Sequence, residues 1–356
     1  MEGNLFDYLE WRGDLTFAQS PLNPIDALAF SSLAYMNLPL LAGEKMTLDE
    51  LYPLWLAQPK EEQFRGLDFS RPANCQLMDK VCHSIRFRNV EVTNYREKTS
   101  VESEIQFSAM TFLLPSGEAF LAFRGTDNTL VGWKEDFNMA FTDGTPAQLE
   151  AAAYAAEYAR ENPGQPLYFG GHSKGGNLAV WGAVHLSAEY RSRVRRVYSN
   201  DGPGFSNHLT ESAAYREMES RILSYVPESS VVGVLMGCCD YITIKSSSVS
   251  VLQHAPLTWR IVGKHFVYET ERTKSGKYVD RLFNGMMAKL DKDELSLFIE
   301  DVYKELRSGN SRTVTDLKKH LFRHLFKTIY KFRKFQAKTA ENEEQKKKLR
   351  DSIDNL

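Results

Sequence analysis

Hydrophobic positions change period along the chain, and the changes divide it into three parts. Residues 1–80 predict a helical, irregular segment, because Pro21, Pro24, Pro53, Pro59 and Pro72 cut it into short pieces. Within it, Asp26–Tyr35 (DALAFSSLAY) predicts a buried helix, and Thr47–Phe64 a mobile amphipathic segment. The period then falls to two. Ile85, Phe87, Val90 and Val92 alternate with one irregularity. Ile105–Leu114 and Ala119–Arg124 predict two strands joined by the turn Pro115-Ser116-Gly117. Helices and strands alternate from there: helix Ala147–Arg160 stopped by Asn162-Pro163-Gly164, strand Pro166–Phe169, helix Asn177–Leu186 and strand Arg196–Ser199. A helix near Ala213–Glu219 and strands Ile222–Val226 and Tyr241–Lys245 complete the run. Strands separated by helices predict βαβ units, hence a mainly parallel sheet covered on both faces, over residues 81–290. Residues 291–356 predict a helical tail.

Composition narrows the function classes. The 356 residues carry 44 Lys+Arg against 46 Asp+Glu, a formal charge of −2, which argues against a nucleic-acid partner held by bulk charge. With 21 Phe, 16 Tyr and 5 Trp, the chain can build a large core. No apolar run reaches the length of a membrane-spanning helix. The acidic start, MEGNLFDYLEWRGD, does not read as a secretory signal. Cys75, Cys82, Cys238 and Cys239 form no CxxC pair, so reduced thiols in a cytoplasmic protein are expected, with no metal.

One motif carries chemistry. Gly171-His172-Ser173-Lys174-Gly175 matches G-x-S-x-G, with an apolar strand running into it and a helix leaving it. A tight strand–turn–helix junction needs those glycines and holds the serine hydroxyl outward. A serine hydroxyl needs a base to take its proton, and where the serine sits on such a strand–turn–helix elbow the chain order is Ser, acid, His. His254 and His265 are the two histidines beyond the next strands and before the tail. His254 sits in the loop VLQHAPLTW just past a strand, where the base is delivered, whereas His265 lies in the strand-like GKHFVYE; placement favours His254. For the acid, Asp201 (in SNDGPGF) and Glu228 (in VPESSVVG) each follow a strand directly, and Asp240 is a weaker third. The oxyanion donors expected are the backbone N–H of Lys174 and Thr126, which follows the strand ending Phe123-Arg124-Gly125.

These residues resemble a family. Phe123-Arg124-Gly125-Thr126-Asp127, with Trp133 and Asp136 following, is similar to the motif that precedes the serine in class 3, fungal-type lipases, where the residue matching Thr126 belongs to the oxyanion hole. That elbow usually has Leu after the serine; Lys174 departs from it, keeps the backbone donor and predicts a more polar rim. NLFDYLEWRGDLTF, SNDGPGF, VPESSVVG and LQHAPLTW resemble, in order, the pattern of a bacterial lipase-like group, the Mbeg-like α/β-hydrolases. The resemblance runs from about Asn4 to about Val262. It implies an α/β-hydrolase fold, Ser173 as nucleophile and His254 as base, and it tilts the acid toward Asp201 over Glu228.

The expectation is therefore a cytoplasmic serine hydrolase of carboxylic esters, acting on acyl lipids or other apolar acyl esters without a cofactor. A thioesterase or amidase uses the same triad, and a catalytically silent lipid- or protein-binding module is the reading from another class. Leu54, Trp55, Leu130, Val131 and Trp133, within residues 41–69 and 128–142, are candidates for a mobile lid. Between Leu317 and Lys338 eight Lys/Arg and no acid flank Leu321, Phe322, Leu325, Phe326, Ile329, Tyr330 and Phe332. That basic amphipathic pattern suits an anionic membrane surface, with packing on the hydrolase or a dimer contact as its alternatives.

Overall fold

The computed structural model describes residues 2–277 except 39–43, 61, 64–70, 101, 104, 127–138, 140–143, 206, 231, 235–239 and 274–276. The chain divides into two units, Met1–Leu295 and Ser296–Leu356, and every described residue lies in the first. The basic stretch 317–338 and Cys238 and Cys239 lie outside the described residues.

Among the described residues, eight strands form one sheet in chain order: β1 (Met46–Thr47), β2 (Glu91–Ser100), β3 (Ile105–Leu113), β4 (Ala119–Phe123), β5 (Leu167–His172), β6 (Val194–Asn200), β7 (Ile222–Pro227) and β8 (Ile242–Ile244). β1 to β4 pair antiparallel, and β4 to β8 pair parallel. β3 and β4 are buried almost throughout, so their side chains divide between two cores. Phe107, Leu121 and Phe123 face helices α5 (Pro146–Glu161) and α6 (Lys174–Val184). Met110, Phe112, Phe120 and Ala122 face the helices of the first eighty residues: α1 (Leu5–Arg12), α2 (Pro24–Leu33), α3 (Leu48–Leu56) and α4 (Arg71–His83). This is a mainly parallel sheet with helices on both faces, an α/β-hydrolase fold. No described helix is long and apolar enough to cross a membrane.

The N-terminal segment differs from its expected form in two places. Residues 47–64 hold α3, started by a capping box between Thr47 and Glu50. Its Leu48, Leu51 and Trp55 are fully buried, and the Trp55 indole donates to the Gln63 carbonyl at 2.9 Å. Trp55 is thus a core residue and no part of a lid, while Leu54 remains exposed. The lid candidates Leu130, Val131 and Trp133 lie outside the described residues. Residues 85–90, expected as alternating strand, form a turn after α4, with the Phe87 N–H bonded to the Ser84 carbonyl and Ile85 exposed. The alternation misleads because the polar position between two apolar ones is also buried. Arg86 reaches inward, its Nη2 and Nε lying 2.5 and 2.7 Å from the Asp26 carboxylate on α2. The Tyr8 hydroxyl donates to the same carboxylate at 2.6 Å.

Both ends of this ion pair are fully buried. Removing one partner strands a charge away from water, so Arg86→Ala should cost about 3–5 kcal/mol, read from urea denaturation. An Arg86→Met, Asp26→Leu double variant should recover only part of that loss: no charge is left unpaired, but the Tyr8 hydroxyl, the Asn23 N–H and the Leu15 and Ser20 carbonyls lose their partners.

Candidate active site

Parallel pairing aligns the carboxyl ends of β4 to β7. Phe123 lies opposite Gly171, His172 opposite Asn200, and Asn200 opposite Tyr225. The residues that follow therefore emerge at one edge: Gly125-Thr126, Ser173, Asp201 and Glu228. In open α/β sheets this edge is where sites form.

Ser173 occupies the junction between β5 and α6 with φ 59 and ψ −133, a conformation a side chain rarely adopts. The turn is held by its own bonds, from the Ser173 N–H to the Asn200 carbonyl at 3.0 Å and from the Gly176 N–H to the Ser173 carbonyl at 2.9 Å. Its tightness dictates the flanking glycines. A Cβ on Gly171 would lie 2.2 Å from the Gly175 carbonyl, and a Cβ on Gly175 would lie 2.1 Å from the Phe123 carbonyl oxygen. Ser173 thus heads α6, whose partially positive end lies at the serine, and the Lys174 N–H opens that helix.

The Lys174 side chain does not make the rim polar. It is buried, and its ammonium donates to the Gln106 carbonyl on β3 at 2.8 Å. Side chains in the first turn of a helix lean back toward its N-terminus, here over the strand ends rather than out to solvent. Thr126 is half-buried, two residues beyond Arg124, whose N–H bonds the Ser108 carbonyl; Asp136 is outside the described residues.

Asp201 is fully buried and also has a positive φ, of 52. Its Oδ2 lies 2.6 Å from His254 Nδ1 and 2.6 Å from the Ser230 hydroxyl, and its Oδ1 accepts from the Gly233 N–H at 3.1 Å. A carboxylate only accepts, so His254 Nδ1 carries a proton and, in the neutral ring, Nε2 is the basic nitrogen. The His254 side chain is 27% exposed, so the buried carboxylate meets a ring that solvent can reach. Glu228 is placed differently. Its Oε1 lies 3.5 Å from Gln253 Nε2, one residue short of His254. Asp240 is exposed, and His265 lies exposed in the short strand His265–Phe266.

Sequence reasoning passed over the residues that hold this pair. Ser230 and Gly233, after β7, supply donors to Asp201. Gln253 braces the loop that carries His254: its side chain accepts from the Ser229 N–H at 2.7 Å and donates to the Ser248 carbonyl at 3.0 Å, while its carbonyl accepts from the Trp259 indole at 2.8 Å. His172 lies within the motif itself, and Tyr35 closes the segment predicted as a buried helix. His172 Nε2 lies 2.8 Å from the His254 carbonyl oxygen, and His172 Nδ1 lies 3.1 Å from the Tyr35 hydroxyl. Nothing in a serine motif or a lone tyrosine announces a tie between segments so distant in sequence.

Burial, helped by the neighbouring His254, holds the His172 pKa well below the usual 6.5. The unfolded chain therefore takes up a proton below about pH 6.5 that the folded ring does not, so this group's stability contribution is complete above that pH and declines as pH falls. Urea midpoints should drop between about pH 7.5 and 5.5, and the His172 ring signals should not titrate over that interval.

A parallel sheet whose fifth strand delivers a strained serine to a helix N-terminus, with a His–Asp pair on later loops of the same edge, defines the α/β-hydrolase class. The chain belongs to the Mbeg1-like family, whose model matches residues 81–304. No curated protein matches the sequence significantly. Among solved structures, the propeptide complex of Rhizomucor miehei lipase is similar over 65% of this chain and 80% of its own, at 14% identity and a TM-score of 0.40. A mutant form of MDLA from Penicillium cyclopium covers 77% and 90% at 14% identity and 0.41. Lip2 lipase of Yarrowia lipolytica covers 69% and 84% at 13% identity and 0.37.

Proposed function

We propose that the protein is a serine hydrolase of carboxylic esters, with Ser173 as nucleophile, His254 as general base and Asp201 as the acid that orients it. The observation that carries this reading is the 2.6 Å contact of His254 Nδ1 with a buried carboxylate, at the sheet edge that also carries a serine held at φ 59. The Nδ1–H···carboxylate bond leaves Nε2 as the proton acceptor and stabilises the imidazolium once it forms.

In this mechanism Ser173 Oγ attacks the ester carbonyl carbon as its proton passes to His254 Nε2. The carbonyl oxygen becomes an oxyanion, met by the Lys174 N–H and by Thr126. When the tetrahedral species collapses, the C–O bond to the alcohol breaks and His254 returns the proton to the leaving oxygen. Water then gives its proton to His254 and attacks the acyl-serine; collapse frees the acid and Ser173 regains its proton. Substrates proposed are acyl lipids or other apolar acyl esters, and the chemistry asks for no cofactor.

A panel of soluble acyl esters of increasing chain length, with the matching thioesters and amides, tests the reading. Ester turnover that rises with chain length and exceeds thioester and amide turnover is expected. Dominant thioester or amide turnover moves the substrate class while keeping the triad, and no turnover of any member contradicts the enzymatic reading.

A further inference from the structure

We infer that His172 is a positioning residue, an imidazole that ties the strand carrying the nucleophile to the loop carrying the base. The role rests on the serine-hydrolase reading above, and it follows from which atoms face each other. The partner of His172 Nε2 is the main-chain carbonyl of His254 itself, at 2.8 Å. A carbonyl only accepts, so Nε2 carries the proton. A ring that is buried and neutral then has its lone pair on Nδ1. That lone pair faces the Tyr35 hydroxyl at 3.1 Å, which therefore donates. The His254 carbonyl selects this tautomer, and the Tyr35 hydroxyl, able to donate, complements it at the other nitrogen. The opposite tautomer would set a lone pair against the His254 carbonyl and break the tie.

The loop needs such a tie. His254 ends a single 3-10 turn, Ser250–His254, and a second short turn, Pro256–Thr258, follows. Neither element fixes the direction of a side chain as a strand would. Gln253, the residue before His254, is braced by its own side chain, and His172 braces His254 itself, its ring 4.4 Å from the His254 ring at 35°. Ser173 and His254 are thus joined through one intervening side chain, on the residue adjacent to the nucleophile. The same bridge includes the oxyanion side. A Cβ on Gly125 would lie 2.1 Å from the Tyr35 hydroxyl and 2.5 Å from the His172 carbonyl oxygen, so the turn that leads to Thr126 rests on Tyr35 and on the elbow. Neutrality matters as well. When His254 becomes a cation in each acyl-transfer step, a neutral ring packed against it adds no like charge.

Two amides of different reach test this in the full-length protein. Glutamine can place its Nε2 where the His172 Nε2 lies and donate to the His254 carbonyl; asparagine is too short. His172→Asn should lower kcat for a soluble acyl ester about 100-fold, the scale of a catalytic group displaced by about 1 Å, with KM nearly unchanged. His172→Gln should stay within about tenfold of wild-type kcat, and Tyr35→Phe should show a smaller kcat loss than His172→Asn, again without a KM change. Thermal unfolding checks that each variant folds. If His172→Asn does not, the Gln and Tyr35 variants decide, since wild-type kcat in Tyr35→Phe together with a full loss in His172→Gln overturns the proposal. Equal loss in the Asn and Gln variants, or a KM rise with kcat intact, overturns it too. Both results leave an active wild-type enzyme, whereas failure of the serine-hydrolase reading would appear as an inactive wild type.

Discussion

Replacing Ser173 or His254 with alanine is expected to lower kcat for ester hydrolysis by about 10⁴- to 10⁶-fold while the thermal unfolding transition persists. Without the hydroxyl no acyl-serine forms. Without the imidazole the hydroxyl keeps its proton and remains a weak nucleophile. The two losses should not add. In the double variant the second substitution removes a group that no longer has a partner, so its activity should match the worse single variant. His265→Ala should stay within about twofold of wild type, because surface changes away from a site are nearly neutral and His265 is exposed on a short strand. Near-wild-type turnover in His254→Ala together with a large loss in His265→Ala would move the base to that strand.

The acid should separate just as clearly. Asp201→Asn is expected to cost about 10⁴-fold in kcat, because an amide can turn its NH₂ toward Nδ1 and stabilise the tautomer that has the proton on Nε2. The ring would then present an N–H to Ser173 where it needs a lone pair. Asparagine is nearly the same shape, so the Ser230 and Gly233 contacts should hold the fold. Glu228→Gln should cost no more than a few-fold, since its carboxylate meets Gln253 at 3.5 Å rather than the imidazole. Steady-state kinetics on both variants rank them, and the reverse order would transfer the acid to the loop after β7.

Much of the frame was legible because its signals are local. Alternating apolar runs marked β3 and β4, Asn162-Pro163-Gly164 marked the end of α5, and G-x-S-x-G between a strand and a helix marked the elbow. Chain order kept His254 and the two strand-end carboxylates in view. Choosing between Asp201 and Glu228 from residue type alone was not within reach, because each follows a parallel strand at the same edge. Only three-dimensional placement sets Asp201 on His254 and Glu228 on Gln253. The misread places share one cause. Arg86, Trp55 and Lys174 have polar or amphipathic side chains whose burial depends on partners that the local hydrophobic pattern does not reveal: Asp26, Gln63 and Gln106. Arg86 lies in a half-exposed turn that reads as a strand, Trp55 lies in the core rather than on an exposed face, and Lys174 makes an internal contact rather than a polar rim. Tyr35, His172 and His254 are joined across even longer separations, which no local pattern encodes.

The central claim is that Ser173 is an activated nucleophile, and a fluorophosphonate probe tests it most directly. The phosphorus is attacked by the activated serine oxygen and fluoride leaves, so the adduct forms only where a base withdraws the hydroxyl proton. The account predicts one adduct per chain by intact mass, located on the peptide containing Ser173, absent in Ser173→Ala and strongly slowed in His254→Ala. A wild-type protein that takes up no probe, or one that labels equally well as Ser173→Ala, would contradict it.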